Sequence, residues 1–218
     1  MDDNTLKKHI ESLCNKHDIC LTLGIFLVHH NRGKFNGYHN NVHLYDVACR
    51  CDEALHTDEF KHLLGTDDAK ALIISALLHD AHHSGGFDSD IINVSRAINA
   101  ALKHMRSVSC SHRIIEMVSE NIWCTVFHNG KFPHEPVNDC QKILRDADLM
   151  QLFRQHGKQV LFGTGLIGEL RRSGVISNDT AWITIDEFLI QNDVFINLQK
   201  MYTNWGNEQR NIHNSLAP

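Results

Sequence analysis

Imidazoles and carboxylates stand at positions that helical periodicity reserves for the core, and this pattern limits the folds open to the chain. From about Asn40, the residues His43, Val47, Cys51 and Ala54 recur at the i, i+4, i+8, i+11 spacing of one helix face. A lone neutral imidazole there is ordinarily a satisfied core histidine. The next apolar segment runs through Ala71, Leu72, Ile73, Ala76, Leu77 and Leu78 from a cap at Asp67 or Asp68, and it ends on His79-Asp80. His79 continues the row of Leu72 and Ala76, and Asp80 the row of Ile73, Ala76 and Leu77, so both point inward. A third helical pattern, Asn138 to Gln155, sets Asp148 between Leu144 and Leu152. Isolated carboxylates in such rows are costly or stay protonated. A shared divalent cation removes the difficulty, and two imidazoles with two carboxylates from separate helices suit a hard or borderline metal. Asp146 falls on the other side of its helix, where solvent or an ion pair with Lys142 or Arg145 is expected to serve it.

Composition narrows the partners. At 218 residues and 42% hydrophobic content, the chain is long enough for one well-buried core, and no Pro/Gly/Ser-rich linker divides it, so residues 1–218 are expected to form a single domain. A net charge of −5 and a pI near 6.4 give no footprint for a nucleic acid polymer or an anionic membrane. A small substrate is expected instead. The seven cysteines are odd in number and unpatterned, which fits reduced thiols and a cytoplasmic location. The start of the chain is acidic and the apolar run Ile19–Val28 is too short to span a bilayer, so a soluble protein is expected. The seventeen histidines are the compositional outlier. Position, not number, must separate ligands from surface histidines.

In chain order, Thr5 to Lys16 reads as a helix, while Ile19–Val28 fits either a helix or a short buried segment. His29 to Gly37 has loop chemistry, with His29 and His30 exposed. Helices are expected at about Asp90 to Met105, Ser109 to Phe127 and Ile183 to Tyr202, with Thr125 near the end of the second. Helical signals outnumber alternating ones throughout. The fold class is therefore all-α.

The residues carry a family resemblance. His43, His79-Asp80 and Asp148 are similar to the H…HD…D pattern of the HD superfamily of metal-dependent phosphohydrolases. Locally, Tyr38-His39-Asn40-Asn41-Val42-His43-Leu44-Tyr45-Asp46-Val47 resembles the Y-H-N-x-x-H-x-x-D-V signature of class I cyclic nucleotide phosphodiesterases. Leu77 to His83 resembles their H-D-x-x-H segment and Ala147-Asp148-Leu149 their A-D-L, so the likeness spans about Tyr38 to Leu152. It implies a compact multi-helix phosphodiesterase-like fold. It further implies a first metal, zinc, on His43, His79, Asp80 and Asp148, and a second, magnesium or manganese, bridged by Asp80, with waters held by His83 and Thr125. Iron is the other metal that such scaffolds take. His39 becomes the general acid beside Asp80. Two ions about 3.5–4 Å apart would activate a bridging water for in-line attack on phosphorus.

His82 replaces an acidic residue of that pattern and Ser84 a proline, and Gly86-Phe87-Asp88 does not reproduce its next motif. Tyr38, Gln151 and Gln155, with Gln191, are the candidates for substrate contact. The implied activity is hydrolysis of a cyclic nucleotide or cyclic oligonucleotide signal. The alternatives are a nucleotide phosphohydrolase or 5′-nucleotidase, for which Asp88, eight residues after Asp80, is the pointer. A di-iron HD oxygenase and a nucleotide-sequestering binding protein are further alternatives.

Overall fold

Nine of the twelve residues in one helix are buried, and the chain is built around it. The computed structural model describes residues 2–153, 159–177 and 184–216. Among these are ten α-helices: α1 (Asp3–Lys16), α2 (Thr22–His30), α3 (Asn41–Leu55), α4 (Asp67–Leu78), α5 (Asp90–Ser107), α6 (His112–Trp123), α7 (Asp139–Leu149), α8 (Gln159–Arg172), α9 (Ile185–Leu198) and α10 (Asn204–Ser215). No strand occurs among the described residues, so the all-α expectation holds. The central helix is α4, whose buried residues run from Ala69 and Ala71 without interruption to Leu78. A helix apolar on every side has to be surrounded. Helices α3, α5, α6 and α7 surround it, α1 packs on α2 and α3, and α8 packs on α9. Burying each of Leu72, Ile73, Leu77 and Leu78 contributes about 1.5–3 kcal/mol, which fixes the end of α4 where His79 and Asp80 emerge.

Local signals set the helix starts. Asn40 accepts hydrogen bonds from Val42 N at 2.9 Å and His43 N at 3.2 Å, which puts His43 on the first turn of α3. Asn138 caps α7 by accepting from Gln141 N. Thr66 caps α4 by accepting from Ala69 N, in place of the expected Asp67 or Asp68, which instead occupy the first turn and favour the helix dipole there. The Ile19–Val28 ambiguity resolves as helix. Helix α2 runs on through His29 and His30, which are exposed as expected but helical rather than in a loop. Helix α6 is shorter than Ser109 to Phe127, because Ser111 caps it by accepting from Ile114 N and the chain turns after Trp123. Thr125 therefore lies beyond the helix.

Two features were not expected. Helix α8 carries Gly163, Gly165 and Gly168, and it lies against the segment before α3 because Gly165 has no side chain: a Cβ there would collide with Gly37 O and sit 3.0 Å from Tyr38 N. Asp146 is fully buried, not solvated. Its carboxylate accepts from Tyr202 N, Thr203 N and Thr203 Oγ1, and so ties the start of α10 to α7. All seven cysteines are free thiols. No described helix is long and apolar enough to cross a membrane.

Candidate active site

The first turn of α3, the end of α4 and the last turn of α7 bring four side chains to one point. His43 Nε2 lies 3.2 Å from His79 Nε2, 3.1 Å from Asp80 Oδ2 and 3.5 Å from Asp148 Oδ1. His79 Nε2 lies 3.1 Å from Asp80 Oδ2 and 3.5 Å from Asp148 Oδ1. Four N/O donors at about 2.0–2.1 Å around a tetrahedral ion are separated by about 3.3 Å. The five separations to His43 and His79 lie within about 0.2 Å of that spacing.

The donor chemistry agrees. His79 Nδ1 is 2.9 Å from Ala76 O, and donation to that carbonyl leaves the Nε2 lone pair free to ligate. His43 Nδ1 is buried without a hydrogen-bond partner, so no contact there competes for the tautomer with a free Nε2. Burial disfavours a charged His79, but the Asp80 and Asp148 carboxylates outweigh it and raise the pKa well above the usual value. Burial likewise opposes ionisation of Asp80 and Asp148, and the surrounding imidazoles overcome it and lower both. The two carboxylates thus require a positive charge between them. A proton on His79 satisfies part of that demand, and the donor set is one that could hold a divalent cation.

A second group adjoins the first. His39 Nε2 lies 4.0 Å from Asp80 Oδ2, and the His39 ring stacks on His83 with centroids 3.7 Å apart. His39, Asp80 and His83 present nitrogen and oxygen atoms within 4.8 Å of one another. Burial, followed by the positive charge of His39, pushes the pKa of His83 down to about 3, so its ring is neutral. It is held by Gly85 N, which donates to Nδ1 at 3.0 Å, and by the Asn93 amide, 3.0 Å from Nε2.

The residue that orders this group is one the periodicity reading missed. Glu169, on α8 and 2% exposed, accepts from Tyr38 N at 2.7 Å and His39 N at 3.1 Å through one oxygen. Its other oxygen lies 2.5 Å from His39 Nδ1. Burial works against protonation of His39, but Asp80 and Glu169 raise its pKa above the ordinary value. Burial also opposes the Glu169 anion, yet the His39 contact and the Tyr38 N–H lower that pKa to about 2. The pair is an imidazolium and a carboxylate. Asp90 was missed as well: its Oδ2 accepts from Phe127 N at 2.6 Å, and burial, reinforced by Asp80 and Asp148, raises its pKa to about 6.

Other expected residues lie elsewhere or are otherwise engaged. Thr125 donates its hydroxyl to Ile122 O at 2.9 Å, closing the turn after α6. Tyr38 is a buried wedge, its ring 4.6 Å from that of His39, 4.7 Å from His43 and 5.9 Å from Phe162. Gln151 is buried and donates to Asp46 Oδ2 at 2.9 Å, so its amide braces α3. Gln191 is exposed on α9, and Gln155 lies outside the described residues. Asp88 is paired with Arg96 at 2.8 Å.

No family model matches the chain. A mouse (Mus musculus) protein, "High affinity cAMP-specific and IBMX-insensitive 3′,5′-cyclic phosphodiesterase 8A", is similar to it, with 30% identity over 104 residues. The match covers 46% of this chain and 12% of the mouse protein, so the chain spans a small part of that relative's length.

Proposed function

We propose that the chain is a single catalytic unit that hydrolyses a phosphodiester bond in a cyclic nucleotide or cyclic oligonucleotide with the help of two divalent ions. The observation that carries this reading is the convergence of His43, His79, Asp80 and Asp148 beside His39, whose ring is held by Glu169. The likeness to a cyclic nucleotide phosphodiesterase supports it. His43, His79, Asp80 and Asp148 would hold the first ion, with zinc suited to the mixed nitrogen and oxygen set. Asp80, on the side facing His39 and His83, would share the second, magnesium or manganese. When bound, such ions neutralise phosphoryl oxygens and lower the pKa of water.

The remaining steps belong to the chain. Hydrolysis of a ribose phosphodiester expels an alkoxide, which needs a proton as it leaves. His39 carries that proton on Nε2, the nitrogen turned towards Asp80, because Nδ1 is committed to Glu169. Glu169 fixes the ring orientation through contacts to the Tyr38 and His39 backbone as well as to the ring. Tyr38 and Phe162 shield the inner side of His43 from water, which strengthens the electrostatic contacts there. Asp88 has Arg96 as its partner, so it adds nothing specific to the nucleotidase reading.

The test is a hydrolysis panel of cyclic mononucleotides, cyclic dinucleotides and linear 5′-nucleotides, run with zinc, magnesium and manganese on the parent chain and on Asp80→Ala. Diester cleavage by the parent, with loss of both turnover and bound metal in the variant, is expected. Cleavage of linear monoesters alone would replace this reading with a nucleotidase. Full activity and unchanged metal content in Asp80→Ala would end the metal assignment.

A further inference from the structure

The outer side of the loop that carries Asp80 and His83 is cationic on a chain whose net charge is −5. The half-buried ring of Phe26, on α2, is the hub of this face, with the rings of His30, His82 and His104 at 6.4, 5.7 and 5.1 Å. His82 Nδ1 accepts from Arg32 N at 2.9 Å, and Arg96 Nη1 donates to His82 O at 3.3 Å. Lys103 is seven positions after Arg96 on α5, two turns along the same helix face.

Two of the three Arg and Lys side chains on this face are not used up inside the protein. Arg96 pairs with Asp88. The side chains of Arg32 and Lys103 are exposed and have no hydrogen bond or ion pair among the described residues. Like charges gathered on one face cost free energy unless an anion is to be bound there. The face is also mechanically joined to the site. Asn31 Oδ1 accepts from both Gly33 N at 3.0 Å and His82 N at 2.7 Å. A Cβ on Gly33 would lie 3.2 Å from His39 O and from His83 N, so the turn bearing Arg32 is pressed against the backbone of both active-site histidines. His82 follows Asp80 by two residues, which places their Cα atoms within about 7.6 Å.

We propose that this face binds a second phosphate group of the substrate, and hence that the substrate is a nucleotide with at least two phosphates, such as a cyclic dinucleotide, with its scissile phosphate in the His/Asp cleft. Arg32 supplies a planar guanidinium fork, suited to phosphate oxygens, and Lys103 a mobile point charge. This assignment rests on the phosphodiesterase reading for the scissile phosphate, while the binding face itself can be tested without turnover.

Inorganic pyrophosphate and an intact cyclic dinucleotide are titrated calorimetrically into the chelator-treated protein, using the parent chain, Arg32→Ala/Lys103→Ala and the charge-preserving Arg32→Lys/Lys103→Arg. Both substituted side chains are exposed and lie outside the catalytic machinery, and the charge-preserving variant controls for folding. The alanine pair is expected to weaken both ligands by about tenfold or more, with a smaller salt dependence, and the charge-preserving pair to retain most of the affinity. In turnover, the alanine pair should raise KM for the cyclic dinucleotide and leave kcat/KM for a cyclic mononucleotide unchanged. Unchanged affinity in the alanine pair, or equal losses on the two substrates, overturns the assignment. Loss of pyrophosphate binding with an unaltered dinucleotide affinity also overturns it, since the face would then serve a separate anion. If the parent chain cleaves no diester, the function proposed above fails, and the dinucleotide titration still decides the fate of this face.

Discussion

Glu169→Gln isolates the electrostatic part of the His39–Glu169 pair. The amide oxygen can still accept from Tyr38 N and His39 N, at present 2.7 and 3.1 Å from the carboxylate. The amide nitrogen then faces His39 Nδ1 and donates where the carboxylate accepted, so it favours a neutral ring protonated on Nε2. A charge-assisted hydrogen bond contributes about 1.5–3 kcal/mol, and one pH unit corresponds to about 1.36 kcal/mol. The pKa of His39 should therefore fall by about 1–2 units. The assay is kcat/KM against pH for two diesters, a ribose cyclic phosphodiester with an alkoxide leaving group and bis-p-nitrophenyl phosphate, whose leaving group needs no acid. The alkaline limb for the ribose substrate should move to lower pH by that amount, and the aryl profile should not move. Identical displacement of both profiles, or no displacement of either, refutes the acid role of His39 and the tuning role of Glu169.

The same substitution has a signature in stability. Glu169 is depressed from 4.5 to about 2 in the folded chain. Its contribution is therefore present above pH 4.5 and is lost as pH falls towards 2, a span equivalent to about 3 kcal/mol. His39 is shifted upward, so its contribution is complete below 6.5 and is lost as pH rises through the raised value. Urea unfolding of the parent chain should show this pair supporting the fold between about pH 4.5 and 6.5, and Glu169→Gln should flatten the acid side of that window.

Gly165→Ala should act on the same pair from a distance. Its methyl group would collide with Gly37 O, so α8 must shift from Tyr38, and turnover of the ribose diester should drop more than that of the aryl diester, by about tenfold or more. Asp146→Ala leaves Tyr202 N, Thr203 N and Thr203 Oγ1 without their acceptor and should cost about 2–4 kcal/mol in urea unfolding, with the metal affinity unchanged. Zinc at about a hundredfold excess over its Kd should stabilise the parent chain by about 2.7 kcal/mol and raise Tm by about 5–10 °C. Asp148→Ala should show little of that gain, and an equal rise in both would place zinc elsewhere.

The helices that supply the four converging side chains were legible because their signals are local. A row such as Leu144, Asp148 and Leu152, or the run from Ala71 to Leu78 that ends on His79-Asp80, states its own inconsistency within two or three turns. Helix α8 carries its signal in a segment of low helix propensity. Gly163, Gly165 and Gly168 each lower helix propensity by about 1 kcal/mol relative to alanine, and what offsets that is the packing of α8 against Gly37 and α9, which is not local. Asp146 fails for the opposite reason. Its helical position suggests solvent, but its partners Tyr202 and Thr203 arrive from 56 and 57 residues away.

Glu169 obeys the rule that exposed Asp148. With Phe162 and Leu166 it forms an i, i+4, i+7 row in which Phe162 is buried and Leu166 packs against the core, so an acid stands on an apolar face. What differs is the compensating charge. Asp80 and Asp148 sit among imidazoles that a metal can join, whereas Glu169 is held by His39 and two backbone N–H groups, with the neutral His83 ring 3.8 Å from the oxygen that meets the His39 ring. Buried acids in helical rows therefore sort by the charge around them: Asp80 and Asp148 share the same imidazoles and lie together, whereas Glu169 stands apart from them, paired with the His39 ring and two backbone donors. Asp90 marks where that sorting can fail, since the charges of Asp80 and Asp148 oppose its own while Phe127 N donates to it. A carboxyl group in that position keeps its proton only up to about pH 6, well above the ordinary carboxylate range, because burial and two nearby acids oppose its charge.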